Sequence, residues 1–241
     1  MNKDLIQARF SKALSDYNEN ARIQKKMAEH LAGLLSRKSY KNILEIGCGT
    51  GFLTELLNKT IKFESYTAID IVEDCRSYIN HINPNINFIQ ADIENFSPEF
   101  APDLIISNAS LQWTENFEKT VKKLKNCLNK DGELIFSTFG TENFKEISLI
   151  TGTSLNYYSL KALEELFPDS YICPEIHIMA FETPKDVLKH LQLTGVNAVE
   201  SKSWTKKDLL KFENAYRNLC SKRPTLTYNP IYIKTKNKTL G

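Results

Sequence analysis

A short apolar run, Ile43, Leu44 and Ile46, leads into three glycines at alternate positions, Gly47, Gly49 and Gly51, and a helical pattern begins at once in Phe52, Leu53, Leu56 and Leu57. Strand, glycine turn, helix is the opening unit of a nucleotide-binding α/β sheet. Glycine allows φ > 0 and lets the backbone approach a ligand with no Cβ in the way. A dinucleotide fold spaces its glycines G-x-G-x-x-G; here they run G-x-G-x-G, with Glu45 two residues ahead of the first. Without a ligand, the same string is an ordinary glycine-rich strand–helix turn.

The chain around this turn reads as one α/β domain. Three further apolar runs follow, Ser65–Asp70, Ile86–Asp92 and Asp103–Asn108, and a fifth, Glu133–Phe139, comes after the Asp131-Gly132 turn. Runs of this kind suit parallel strands buried on both faces, and the stretches between them are long enough for right-handed crossovers. Thr114 reads as the N-cap of a helix reaching Leu128. Ahead of the first strand, Ile6, Phe10, Ala13, Leu14 and Tyr17 lie on one helical face, and Ile23, Met27, Leu31, Leu34 and Leu35 on another. These two helices (1–37) exceed what a minimal sheet needs, which places the N-terminus across the ligand pocket. In the second half, Ser159 caps Leu160–Phe167, Glu175–Glu182 alternates as a half-buried strand, and Thr225–Thr235 is the last strand. Between them stand two capped helices, one opening at Thr183-Pro184 with Asp186 and ending at Gly195, the other opening at Thr205 with Asp208. Residues 183–223 therefore read as a helical lid inserted between the last two strands.

Ligands in such sheets bind outside the carboxyl ends of the strands. Asp70 ends the second strand 19 residues beyond Gly51. Its two acceptor oxygens match a ribose diol, and Asp92, ending the third strand, is placed to accept from an adenine amino group. Capping of the following turn is the plain alternative for each.

Composition narrows the class. Apolar residues make up 41% and charged residues 25% of 241, ordinary for a soluble globular protein, and no apolar run approaches the ~20 residues of a membrane span. Five cysteines, at 48, 75, 127, 173 and 220, are odd in number and lack C-x-x-C spacing, which suggests reduced thiols in a cytoplasm and no metal site. Cys48 reads as a small filler in the turn. From Lys202 onward there are ten Lys/Arg against Asp208 and Glu213, a net +8 that leaves −6 for the rest of a chain of total charge +2. A basic C-terminal region suits an acidic partner; a solvated helix face and basic tail would look the same.

Glu45 with the three glycines resembles motif I of the class I S-adenosylmethionine-dependent methyltransferases. Phe10-Ser-Lys-Ala-Leu-Ser-Asp-Tyr17 followed by Ala21 and Gln24, Ser107-Asn-Ala-Ser-Leu-Gln-Trp113, Phe136-Ser-Thr-Phe-Gly140, Leu191-Gln-Leu-Thr-Gly-Val-Asn-Ala198 and Leu226-Thr-Tyr-Asn-Pro-Ile-Tyr232 are together similar to the malonyl-[acyl-carrier protein] O-methyltransferases of early biotin synthesis. The resemblance spans nearly the whole chain. It implies a Rossmann-like seven-stranded sheet of order 3-2-1-4-5-7-6, S-adenosylmethionine as methyl donor, and the free carboxyl of a malonyl thioester as acceptor, carried by an acidic protein and met by a monomer without nucleic acid or membrane. On that reading Glu45, Gly47 and Gly49 form the methionine-side wall, Asp70 and Ile71 hold the ribose, Asp92 and Ile93 the adenine, and Asn108 and Ala109 border the methyl. Tyr17 closes from the N-terminal helix and Trp113 lines the acyl slot. Strand five lacks a basic residue to hold the acceptor carboxylate, so a lid cation is expected there, His190 or Lys189 ahead of Arg217. An ionised carboxylate is already a nucleophile, and neither base nor metal is required. Other class I methyltransferases, acting on a free acid of the trans-aconitate type or on a quinone precursor, remain open. So do a non-catalytic S-adenosylmethionine-binding subunit and a nicotinamide dehydrogenase.

Overall fold

The computed structural model describes residues 2–196, 205–220 and 223–236. At its centre a seven-stranded sheet runs from β1 (Ser39–Ile46) outward in both directions. On one side lie β2 (Lys62–Asp70) and β3 (Asn87–Gln90); on the other lie β4 (Leu104–Ser107), β5 (Glu133–Phe139), β9 (Pro230–Lys236) and β6 (Tyr171–Pro174). The order is β3-β2-β1-β4-β5-β9-β6, with β1 to β5 parallel and β9 antiparallel to both neighbours. Counting only sheet strands, this is the expected 3-2-1-4-5-7-6. All seven residues of β5 and all four of β4 are buried, because helices cover both faces.

Helices α3 (Phe52–Thr60), α4 (Cys75–Ile82) and α5 (Phe117–Cys127) supply the crossovers. The cap of α5 is Asn116, whose side chain accepts from the Lys119 amide. Thr114, expected in that role, instead closes a single 3₁₀ turn at Leu111–Trp113 and bonds back to the Leu111 carbonyl. The chain kinks there, which brings Trp113 over the carboxyl end of the sheet.

The last third departs from its expected outline. The strand expected over Glu175–Glu182 is two short ones. β6 joins the main sheet, whereas β7 (His177–Ala180) pairs with β8 (Thr225–Tyr228) in a separate two-stranded ribbon. The expected last strand breaks likewise between Tyr228 and Pro230. Asn229 pins the corner: its side-chain amide donates to the Glu175 carbonyl, and its backbone carbonyl accepts from Gly140. The facing of β7 is also reversed. Ile176 and Ile178 are 52% and 65% exposed, while Met179 and Phe181 pack against the core.

Between β7 and β8 lie α8 (Pro184–Leu193) and α9 (Lys206–Leu219), each opened by a complete capping box, Thr183 with Asp186 and Thr205 with Asp208. α8 stops where Gly195 takes φ +72°. Of the sequence features assigned to this region, Asn197, Ala198 and Lys202 lie outside the described residues, as does Lys238 beyond β9. The N-terminal pair, α1 (Lys3–Asn20) and α2 (Arg22–Gly33), buries Ile6, Ala13, Leu14, Ile23, Met27 and Leu31. α1 packs on α8 and α2 on α3, so α1 bridges the sheet's carboxyl end and the inserted helices.

Candidate active site

All three glycines after β1 adopt left-handed backbone, Gly47 at φ +68°, Gly49 at +53° and Gly51 at +83°. A Cβ on Gly47 would lie 2.1 Å from Ser110 Oγ, whereas one on Gly49 would meet nothing within 4 Å. Gly47 is thus required for packing and conformation together, and Gly49 borders open space. That space is a cavity of about 120 Å³ at the head of the sheet. Its floor is the glycine turn, its far wall Asn108 to Ser110, and its roof Ile6, Phe10, Leu14 and Tyr17 of α1.

Asp70 organises the floor. One carboxylate oxygen accepts from the Gly49 amide (2.9 Å), the other from the Val72 amide (2.9 Å). Burial lifts the Asp70 pKa, and these amides oppose the shift. Each oxygen keeps a lone pair toward the cavity. Burial and the Asp70 charge push the Tyr17 hydroxyl well above its usual range, so it stays a neutral donor. The Cys48 thiol is also raised, chiefly by burial and then by Asp70 and Glu45, which leaves it a filler and not a nucleophile.

Glu45 is fully buried and accepts from Thr54 Oγ1 (2.7 Å) and Tyr66 Oη (2.5 Å). Burial raises its pKa to about 7, against the pull of those two donors.

A recess of about 70 Å³ shares Gly47, Asp70, Ile71, Ser110 and Trp113 with the cavity and ends at Asp92 and Ile93. Its apolar walls suit a flat ring. Asp92 is held at its rim by Lys3 of α1 (2.6 Å), which also contacts Glu94 (2.5 Å). With α1 so latched the space is tighter than the ~300 Å³ and more that small-molecule sites offer.

Two observations test whether S-adenosylmethionine suits these residues. Gln24 Oε1 and Thr50 Oγ1 are buried, line the cavity, and have no hydrogen-bond partner among the described residues. A buried acceptor left unpaired costs ~1–3 kcal/mol, and an ammonium or hydroxyl donor in the cavity removes that cost. The orphans lie beside the glycine turn, where the methionine end would sit, while Asp70 and Asp92 offer acceptors to a diol and an amino group. The residues fit.

At the end of β4 the Asn108 side chain is committed to the scaffold. Its amide donates to the Gln24 carbonyl (2.9 Å) and its oxygen accepts from Ser137 Oγ (2.8 Å); Ser137 in turn accepts from the Ala109 amide (2.9 Å). Ala109 takes φ +50°, strain for a non-glycine residue that this network holds in place. Trp113 meets Phe10 edge to face at 5.5 Å and lines both cavity and recess.

The three expected lid cations are not brought to this cavity. His190 is buried against Tyr228, 2.7 Å from its hydroxyl. Burial, with a smaller push from Arg22, lowers its pKa to about 4, so at neutral pH it is uncharged and cannot serve as a cationic anchor. Lys189 points to solvent, and Arg217 pairs with Glu213 on its own helix at 3.4 Å. Gln24, Thr50, Ser110 and Ser137 were not expected in the site. Gln24, Ser110 and Ser137 stand in stretches that carry the family resemblance, but nothing local in those stretches assigns them to the site.

A family model described as Methyltransferase domain matches residues 17–171. The malonyl-[acyl-carrier protein] O-methyltransferase of Calditerrivibrio nitroreducens is 39% identical over 240 residues, 95% of each chain. That of Chlorobium luteolum is 34% identical over 256 residues, 99% of this chain and 97% of its own, and that of Haemophilus influenzae 34% over 244 residues. Among solved structures the N-methyltransferase NodS of Bradyrhizobium japonicum, in complex with S-adenosyl-l-homocysteine, aligns with TM-score 0.59 at 15% identity, covering 97% of this chain and 99% of its own. A putative methyltransferase from Bacillus halodurans aligns with TM-score 0.63 at 13% identity, covering 89% and 100%; at such identity both speak for the fold alone. Fold and site define a methyltransferase of the class I type. Within that class the chain belongs to the malonyl-[acyl-carrier protein] O-methyltransferase family.

Replacing Gln24→Leu removes the orphaned oxygen. We expect S-adenosylmethionine to bind about tenfold or more weakly by calorimetry, while thermal stability is unchanged or higher, since an unpaired buried acceptor is lost. Glu45 predicts a pH effect. The folded chain keeps a proton to about 7 that an unfolded glutamate releases near 4.5, so stability falls as pH rises through that window, by up to ~3 kcal/mol. Denaturant midpoints of Glu45→Gln from pH 4.5 to 8 should lack that part of the decline.

Proposed function

We propose that this protein transfers a methyl group from S-adenosylmethionine to the free carboxyl of a malonyl group carried as a thioester on acyl carrier protein, an early step of biotin synthesis. The observation that carries the reading is the full-length relationship to enzymes of that name, joined to a cavity whose unpaired polar atoms face the methionine side. When bound, S-adenosylmethionine supplies an electrophilic methyl on a sulfonium. Gly47, Gly49, Gln24 and Thr50 would hold its methionine end, Asp70 and Ile71 the ribose, and Asp92 and Ile93 the ring, with Asn108 and Ala109 beside the methyl. Glu45, hydrogen-bonded beneath the turn, supports that wall.

The acceptor carboxylate is ionised at neutral pH, so this chain's work is alignment and exclusion of water. Among the described residues lining the first cavity there is no cation, and the Tyr17 hydroxyl is a donor available to hold it. Tyr17 and Tyr157 both stand close enough to raise the pKa of Tyr228, beyond the larger effect of burial. Tyr17 lines the first cavity. Tyr157 lines a second, of about 390 Å³, walled by Phe144, Ile147, Leu188, Leu191 and Phe212 and edged by Arg9 and Lys206. We place the acyl thioester arm in this apolar chamber under α8 and α9. Trp113 would close the first cavity above the methyl. The exposed cations Lys189, Lys207, Lys211 and Arg217 on α8 and α9 suit docking of the acidic carrier protein to a cytoplasmic monomer, an attraction that salt weakens.

The test is turnover with methyl-labelled S-adenosylmethionine, comparing malonyl-acyl carrier protein with free malonate and trans-aconitate, the product identified by mass. We expect the malonyl thioester methyl ester, with kcat/KM at least a hundredfold above either free acid and falling as salt rises. Faster turnover of a free acid would contradict the reading.

A further inference from the structure

Away from the cavity, on the β9–β6 edge of the sheet, side chains from several elements converge on the Glu175 carboxylate. Glu175 follows β6, Cys173 lies in it, His177 opens β7, and His30 comes from the last turn of α2. The two oxygens of Glu175 have different company. Oε2 is held by His177 Nε2 (2.9 Å) and accepts from the Tyr232 hydroxyl (3.2 Å). Oε1 faces His30 Nδ1 at 3.1 Å. One ring nitrogen of His30, a Glu175 carboxylate oxygen and Cys173 Sγ all lie within 4.8 Å of one another. The His30 ring is fixed by stacking on Tyr232, centroids 3.7 Å apart and planes 3° from parallel.

We propose that His30 Nδ1, Glu175 Oε1 and Cys173 Sγ form a binding site for a divalent transition-metal ion, zinc being the ion this donor set selects. Around tetrahedral zinc, nitrogen, oxygen and sulfur ligand atoms stand about 3.3–3.6 Å from one another. The His30–Glu175 edge is already near that length, and the sulfur reaches it by a side-chain adjustment of about 1 Å. One imidazole, one thiolate and one carboxylate disfavour magnesium and calcium, which take oxygen donors. Three protein ligands leave a fourth position for water. His177 and Tyr232 hold the outward oxygen and so orient the carboxylate, as hydrogen-bonded partners of metal-binding carboxylates do. The ion joins α2 to the sheet edge, and α2 also carries Gln24, which bonds Asn108 in the donor site. The site stands whether or not the proposed methyl acceptor is correct.

Cobalt(II) is the probe, added to the full chain, free of any histidine tag and stripped with a chelator. We expect one equivalent to bind with a sulfur-to-cobalt charge-transfer band and visible bands of tetrahedral intensity, and zinc to displace it. Cys173→Ser should abolish the charge-transfer band. His30→Gln and Glu175→Gln should weaken binding at least tenfold, and His177→Gln by 10–100-fold with unchanged stoichiometry. Cys220→Ser serves as a remote control and should change nothing. At a hundredfold excess over its Kd, zinc should raise Tm by about 5–10 °C, a rise the ligand variants lose. A charge-transfer band that survives Cys173→Ser, or wild-type affinity in His30→Gln, would overturn the assignment. So would the absence of one-to-one binding, the His30–Glu175 pair then being an ion pair only.

Discussion

The hydrogen bond from the Gly49 amide to Asp70 ties the glycine turn after β1 to the end of β2, and the donor site depends on it. Parallel register sets Ile46 beside Ile69, and the amides of Gly47 and Cys48 both donate to the Ile69 carbonyl. The turn is thereby anchored at backbone and side chain. Only a left-handed backbone brings the Gly49 amide round to Asp70, and only a residue without Cβ leaves Gly47 clear of Ser110. Floor and far wall of the cavity are thus one constraint expressed at Gly47, Gly49 and Asp70.

The roof is held differently. α1 is attached over the recess by Lys3 on Asp92 and Glu94, a partly buried cluster. Beneath it Gln24 and Thr50 keep unpaired atoms in a buried setting. The Asn108–Ser137 network lies along the far wall of the cavity and shapes it without supplying charge, and the neutral His190–Tyr228 pair lies outside it.

What could be read from the chain alone follows the range of the interactions. The glycine turn, Asp70, and the capping boxes at Thr183 and Thr205 are local patterns, and each stands in the structure where its spacing placed it. The buried parallel strands were legible in the near-continuous apolar runs, whereas the order of the sheet came from the family resemblance. The β6–β7 division was not legible. Ile176 and Ile178 alternate like a half-buried strand, yet which face is inward depends on Thr225–Tyr228 pairing some 50 residues later and on Asn229 pinning the corner. His190 looked like a helix-surface cation because its partner, Tyr228, lies 38 residues on. The placing of Gln24, Ser137 and Tyr157 also rests on contacts between distant segments, and an isolated polar residue on an apolar face does not announce them.

The account rests most heavily on Asp70 as acceptor for the two ribose hydroxyls of S-adenosylmethionine. Calorimetric titration of the wild-type chain and Asp70→Ala with S-adenosylhomocysteine and with its 2′,3′-dideoxy analogue tests this directly. We expect the wild type to lose at least tenfold in affinity for the analogue, a carboxylate hydrogen bond contributing ~1.5–3 kcal/mol, and Asp70→Ala to bind both ligands weakly and alike. An equal preference for the hydroxylated ligand in both proteins would contradict the assignment.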